Sequence, residues 1–328
     1  MGNRLLGVAS FNLNKLILKS LYLVAAIQHP SIKKDYLYFI RDNYFCRLRQ
    51  LQFFKKDFLV KKKYKTTDFQ GEFDQELRYV IPFAYWHYLN GTLKKTISCK
   101  NTSDFYFFSA NHEERYPERI WQKSYENFDV PNMTHSISFS MTKWAKVPYK
   151  KYYANRIFTY DKPILVIANK FNIEWGESPI NFLSLEILDA IIYQLKDKFQ
   201  IIYNRPLSSQ IVSDNSEILD LNEHDWLKRT HPDVILMNEL FVDKQSVVTS
   251  FNHLQMLVYA NCEHFISVHG GTAALASCFE GTNIILSKRG IEHALGEYNT
   301  IIPALSDATI LHAKTELELM HFLKTHYV

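Results

Sequence analysis

From Pro163 onward the chain alternates short, unbroken apolar runs with amphipathic stretches of helical spacing, a pattern that few folds can accept. Residues 164–168, 200–203, 234–237, 265–268 and 283–286 each read as a strand covered on both faces. Between them, 182–198 carries Leu185, Leu188, Ile192 and Leu195 on one face. The stretches 223–229, 251–260 and 272–279 read as further helices, and 315–326 closes the chain as another. Alternation at this pitch predicts an α/β domain built on a parallel, doubly wound sheet. At 328 residues the chain has room for a second domain, and we divide it into 1–155 and 156–328.

Within that alternation the stretch 264–278 says most about chemistry. An apolar strand runs into His269-Gly270-Gly271-Thr272 and then into an alanine-rich helix. Two glycines let the backbone turn sharply and let a ligand approach without a Cβ in the way. The helix start offers N–H groups and a positive dipole end to an anion, and Thr272 could cap the helix or reach a phosphate. A tight turn with no ligand is the plain alternative. The pattern is not GxGxxG, so the dinucleotide fingerprint is absent, and no GxxxxGK[ST] loop exists, which excludes a P-loop nucleotidase.

The run Tyr259-Ala-Asn-Cys-Glu-His-Phe-Ile-Ser-Val-His-Gly-Gly-Thr-Ala-Ala-Leu-Ala, followed by Gly281-Thr-Asn-Ile-Ile-Leu, resembles the donor half of GT-B-fold glycosyltransferases of the surface-polysaccharide and fucosyltransferase-like type. The stretches 76–91, 96–99 and 104–112 resemble the acceptor half of such enzymes; residues 1–65 fall outside the resemblance. It implies two Rossmann-like domains facing a cleft, with the last helix crossing back to the first domain. It also implies a nucleotide-diphosphate sugar, of UDP or GDP type, held by the second domain. The acceptor would be a glycan or lipid-linked molecule on the first, and no further cofactor is implied. The paired-glutamate E-x7-E motif of many retaining members is missing, which leaves the stereochemistry open.

Sugar transfer needs a base for the acceptor hydroxyl and positive charge or N–H groups for the leaving diphosphate. No DxD-type pair stands at a strand end, so the expectation is metal-independent chemistry. Besides His269, Gly270, Gly271 and Thr272, the candidates for the diphosphate are Arg205, Asn169, Lys170 and Lys288, each just past a strand end. For the base, the first domain offers Asp74 and Glu76 at a helix start and His112 in an expected loop, with His87 as a further candidate. His253 and Glu297 are additional candidates near the cleft. Acids at a helix start also have a plain dipole explanation, and a lone histidine is more often structural. A non-catalytic nucleotide- or glycan-binding protein and a nucleotide-sugar epimerase of the same fold are the alternative readings.

Charge separates the N-terminus from the rest. Residues 1–65 hold 14 Lys or Arg against 3 Asp or Glu, and the remainder 24 against 31, so a formal total of +4 conceals a strongly basic arm. The start of that arm reads as an amphipathic helix with Leu6, Leu13, Ile17, Leu21 and Val24 on one face and lysines on the other. It contains no apolar run long enough to span a membrane and no signal-peptide pattern. The arm either packs on its own domain or holds an anionic membrane surface. No nucleic-acid module is recognisable. The four cysteines form no CxxC pair, Cys262 and Cys278 are expected to be small buried residues, and a reducing compartment fits best, consistent with a cytoplasmic protein, peripheral on a membrane if the arm binds one. Sequons at Asn90, Asn101 and Asn132 carry little meaning without a secretion signal. For the rest of the first domain, a helix over 74–90, strands over 95–99 and 104–109, and irregular chain over 110–160 are expected.

Overall fold

A computed structural model describes residues 2–121, 129–130, 140–174, 176–213 and 216–328; the sequon at Asn132 lies outside them. The first domain holds a three-stranded parallel sheet in the order β1 (Lys65–Asp68), β2 (Leu93–Cys99), β3 (His112–Tyr116). The expected helix over 74–90 runs through Phe73–Gln75 and Ile81–Leu89, joined by a widened turn at Glu76–Val80. That wide turn lies just before Pro82, which lacks an N–H and crowds the preceding turn. The chain then leaves the helix through Gly91 at φ +75°.

Two expectations for this domain fail. Residues 104–109 do not form a strand. Thr102 Oγ1 donates to the Cys99 carbonyl (2.6 Å) and the Phe105 N–H to the Thr102 carbonyl (2.9 Å), folding the chain into a helical turn over Ser103–Tyr106. His112 lies in strand β3 rather than a loop. Its His-Glu-Glu-Arg-Tyr sequence carries no apolar alternation because it is an edge strand, paired only with β2.

The second domain follows the predicted alternation. Its strands are β4 (Ile164–Ala168), β5 (Asn172–Glu174), β6 (Gln200–Asn204), β7 (Ser216–Ile218), β8 (Ile235–Leu236), β9 (His264–Val268), β10 (Thr282–Leu286) and β11 (Thr309–Ala313). Six form a parallel sheet in the order β11-β10-β9-β4-β6-β8, while β5 and β7 make a small antiparallel pair. The 234–237 run yields only a two-residue strand, because Met237 already begins the Met237–Asp243 helix. Side chains alternate across the main sheet as a pleat requires. Val166, Ala168, Ile202, Phe265 and Ile285 enter a core that also contains Phe69, Leu77, Phe83, Phe105 and Tyr149 of the first domain. Leu165, Ile167, Ile201, Ile266 and Ile284 face a second core on the far side. The first of these cores is therefore common to both domains.

The closing helix Glu316–His326, capped by the Thr315 hydroxyl, does not cross back to the first domain. Leu319, Leu323 and Tyr327 bury themselves in the second core. The Tyr327 hydroxyl sits between the carbonyls of Phe265 (2.8 Å) and Thr282 (2.7 Å), which fixes the helix on its own sheet.

The basic arm is a helical hairpin in which Gly2–Gln28 packs on Leu37–Gln52 through a small core of Ala25, Leu37 and Ile40. Of the expected apolar face, Ile17 and Leu21 are half-buried, whereas Leu13 and Val24 point to solvent. The hairpin is fastened to the body through Cys46 Sγ to the Val130 carbonyl (2.9 Å) and Gln50 Nε2 to the Asp129 carbonyl (3.0 Å). All four cysteines are buried and free. Among the described residues, no helix is long and apolar enough to cross a membrane.

Candidate functional site

In an open parallel sheet, ligands bind beyond the carboxyl ends of the strands, where the strand order reverses. Numbered within the main sheet alone, the strands lie in the order 3-2-1-4-5-6, so the reversal falls between β4 and β9. Those strands end in Asn169-Lys170 and His269-Gly270-Gly271-Thr272. The fold thus brings together the two segments singled out from the sequence.

Gly270 has φ +102°, a conformation closed to most side chains, and a Cβ there would stand 3.2 Å from Lys170 Nζ. The Lys170 ammonium therefore lies over the turn, paired with Glu174 (2.6 Å). No side chain caps the Gly271–Ala276 helix that follows. Thr272 does not cap it either, because its hydroxyl donates back to the Val268 carbonyl (2.5 Å). The His269 ring hydrogen-bonds Tyr298 through Nδ1 (2.5 Å) and lies 3.6 Å from Glu292 through Nε2. Burial pushes its pKa below the usual histidine value, so it is a neutral, positioned ring.

The other strand-end candidates are differently employed. Asn169 is fully buried. Its Nδ2 donates to the Leu183 carbonyl and Tyr203 hydroxyl (3.0 Å each), and its Oδ1 accepts from the Lys170 and Leu183 N–H groups (2.9 Å each). It is a bracket that holds the segment after β4. The buried Arg205 grips the fully buried carboxylate of Glu223 with Nε and Nη2 and the Leu219 carbonyl with Nη1 (3.0 Å). Lys288 is half-exposed and pairs with Glu316 (2.8 Å), over the Phe182 ring.

From the first domain, the Phe73–Gln75 turn meets Gly271. A Cβ on Gly271 would stand 2.9 Å from Phe73 Cδ1 and 3.8 Å from the Asp74 amide nitrogen. Close packing against Phe73 therefore explains this second glycine. Asp74 stands beside the turn with part of its carboxylate exposed, paired with Arg78, and Arg78 in turn pairs with Glu297 of the second domain. Both Arg78 and Glu297 are buried, making a charged clamp across the interface. Glu76 is shut away behind it. Its carboxylate accepts from Ser98, from Tyr106 (2.8 Å) and from Arg119 (2.8 Å), and none of it is exposed.

His112 has both ring nitrogens on hydroxyls, Thr96 (2.8 Å) and Thr102 (3.1 Å), at the amino end of β3, and burial lowers its pKa. His87 is buried against Thr92 (2.7 Å). His253 Nδ1 bonds Thr249 at the start of the Phe251–Ala260 helix. Of the first-domain candidates, Asp74 is the one beside the glycine turn. Further along the same carboxyl edge, past β6 and β8, a cavity of about 930 Å³ opens between Asn101 of the first domain and Leu207, Gln210, Asn238 and Phe251 of the second.

Sequence reasoning missed Arg78, Glu292 and Tyr298. Arg78 had a signal, as the sole Lys or Arg in the apolar stretch 76–91. The other two lie in short helical turns after β10, Ile291–Ala294 and Glu297–Asn299, too brief to show a periodicity. Among the described residues, no group of three or more His, Cys, Asp or Glu is arranged to hold a metal ion.

No protein-family model and no curated protein matches this sequence. Among solved structures, the chain is similar to E. coli ADP-heptose lps heptosyltransferase II, at a TM-score of 0.49 and 8% identity, over 80% of this chain and 99% of that one. A likeness of that size carries no argument about activity.

Proposed function

We propose that this protein is a glycosyltransferase that moves a sugar from a nucleotide-diphosphate donor, of UDP or GDP type, to a glycan or lipid-linked acceptor. One observation carries the reading: the glycine turn and Lys170 meet at the strand-order reversal of a doubly wound sheet, with a first-domain carboxylate, Asp74, beside them. Lys170 and the uncapped backbone at Gly270 would receive the diphosphate, whose charge grows as the sugar leaves. Asp74 would accept the acceptor's proton, and His269, held by Tyr298, would position the turn. The cavity past β6 and β8 on the same carboxyl edge falls within the size range of small-molecule sites. In this reading Arg205, Asn169 and Glu76 build the site and do not touch substrate.

One feature favours a second reading, a nucleotide-binding protein without transfer: the Asp74 carboxylate is already engaged by the Arg78 guanidinium and is not free to meet an acceptor hydroxyl. Thermal melts with UDP, GDP, ADP, CMP and their sugars test both. Stabilisation by one nucleotide, lost in Lys170→Met, supports a donor site at the turn. Equal stabilisation of wild type and Lys170→Met moves the ligand elsewhere, and no stabilisation by any member of the panel removes both readings. Release or transfer of the sugar from the stabilising donor, unaffected by a chelator, separates the metal-independent enzyme from the binder.

A further inference from the structure

We infer that the segment 51–63 is a docking knob for an anionic lipid bilayer. The feature is a short stretch in which large apolar side chains and lysines all face outward. Leu51, Phe54, Phe58, Leu59 and Val60 are exposed, Leu59 to 70%, and so are Lys55, Lys56, Lys61, Lys62 and Lys63. Soluble surfaces seldom gather so many large apolar groups in one place unless something covers them. The sole acid between Leu51 and Lys65 is Asp57, and it contributes nothing to the outer face. It is fully buried, held by Lys143 and the Tyr64 hydroxyl, so every outward charge in the segment is positive.

The same buried residue makes the knob rigid. While Asp57 is tied inward, its carbonyl accepts from Asn90 Nδ2 (2.6 Å). Phe58 stands against Phe54 (5.0 Å between ring centres) and edge-on to Trp86 of the body (5.7 Å). Lys61 takes a left-handed turn at φ 49°, and its N–H closes on the Lys56 carbonyl (3.0 Å). Little ordering entropy therefore remains to be lost when the knob enters an interface. The adjoining hairpin continues the composition, with Leu16, Leu23 and Ile27 exposed on the Gly2–Gln28 helix that also bears Lys19.

Charge complementarity together with apolar character selects the occupant. An anionic headgroup layer attracts the lysines, while the acyl boundary a few ångströms below takes Phe58, Leu59 and Val60. A nucleic acid would reward the lysines but offers nothing to exposed aliphatic side chains. An acidic protein would need a complementary pocket for each of them. The inference stands independently of sugar transfer.

The test is flotation of the full chain with vesicles of phosphatidylcholine alone and of phosphatidylcholine mixed with phosphatidylglycerol, at low and moderate salt. Binding is expected on the anionic vesicles only and should weaken with salt. Replacing Lys61, Lys62 and Lys63 together with Gln should weaken it on the order of a hundredfold. Leu59→Ser with Val60→Ser should weaken it roughly tenfold or more. These side chains are exposed, so both variants should melt like wild type, which confirms that folding is intact. The inference is overturned by absence of binding at low salt, by wild-type affinity in the Leu59/Val60 variant, or by preference for a single-stranded oligonucleotide over the vesicles.

Discussion

Arg78 offers the sharpest test of how this molecule is held together. Its guanidinium is buried and reaches Asp74 one turn back on its own helix and Glu297 in the other domain. Replacing Arg78 with Leu removes the cation but leaves Glu297 buried, with the Tyr79 hydroxyl 3.5 Å away. Breaking a buried ion pair by removing one partner costs about 3–5 kcal/mol. Against a total stability of about 5–15 kcal/mol, that is a large share. At about 2 °C per kcal/mol for a chain of this size, the midpoint should fall by roughly 6–10 °C. Replacing Glu297 with Leu as well removes the second buried charge, and Asp74, partly exposed, can stay hydrated. The double variant should then recover most of the loss, because apolar replacement of a buried pair is often neutral. Urea unfolding followed by tryptophan fluorescence, at one pH for wild type, both single variants and the double, gives the coupling directly. Trp144 is a suitable reporter, since its indole N–H donates to the Arg78 carbonyl (2.9 Å). If the two single losses add, or if Arg78→Leu costs under about 1 kcal/mol, the clamp is not what joins the domains.

Other consequences are as direct. Gly281 has φ +67° and a Cβ there would sit 2.3 Å from the Glu263 carbonyl oxygen, whereas Gly91 has φ +75° with open space around it. Gly281→Ala should therefore melt several degrees below Gly91→Ala, which carries only the backbone cost of about 1 kcal/mol, and equal melts would contradict the packing. Burial pushes the His87 pKa down to about 2, while the unfolded chain binds that proton near 6.5. The stability it contributes is whole above pH 6.5 and is lost as pH falls from there towards 2, by about 1.4 kcal/mol per unit. His87→Gln should flatten the acid limb of stability against pH by one proton, and an unchanged slope would count against a neutral buried ring. On the proposed function, Asp74→Asn should reduce sugar transfer by roughly 10²–10⁴-fold with nucleotide affinity retained, and unaltered turnover would remove Asp74 as the proposed base.

The second domain was legible because strands covered on both faces must be apolar throughout, and the five predicted runs met that requirement. β11 escaped notice because it is an edge strand with Thr309 and His312 on it, and β3 escaped for the same reason. The glycine turn and Lys170 were found as separate strand ends. Only the strand order, which depends on crossovers that a sequence does not display, shows that they are neighbours. Arg205 and Asn169 looked like ligand groups because position at a strand end is visible while partners are not. Glu223 and Leu183, which occupy them, lie 18 and 14 residues away. Glu76 and Asp74 are nearly indistinguishable in the sequence, yet helical rotation turns one into the interior and leaves the other beside the turn. Gly271 looked like a clearance for a ligand and is instead a clearance for Phe73.

The core common to both domains has a consequence for traffic through the molecule. Halves joined by a seam of Phe69, Phe83, Phe105, Tyr149, Phe265 and Phe279, with a charged rivet at Arg78, do not swing apart cheaply. Cutting the connecting peptide near residue 155 should leave the two pieces associated, and neither should be soluble when made alone. On the proposed function, a nucleotide sugar would then have to enter along the strand-end edge of a body that stays closed, instead of waiting for a jaw to open. In such a body the shape of the doorway, more than movement of the walls, would select what enters.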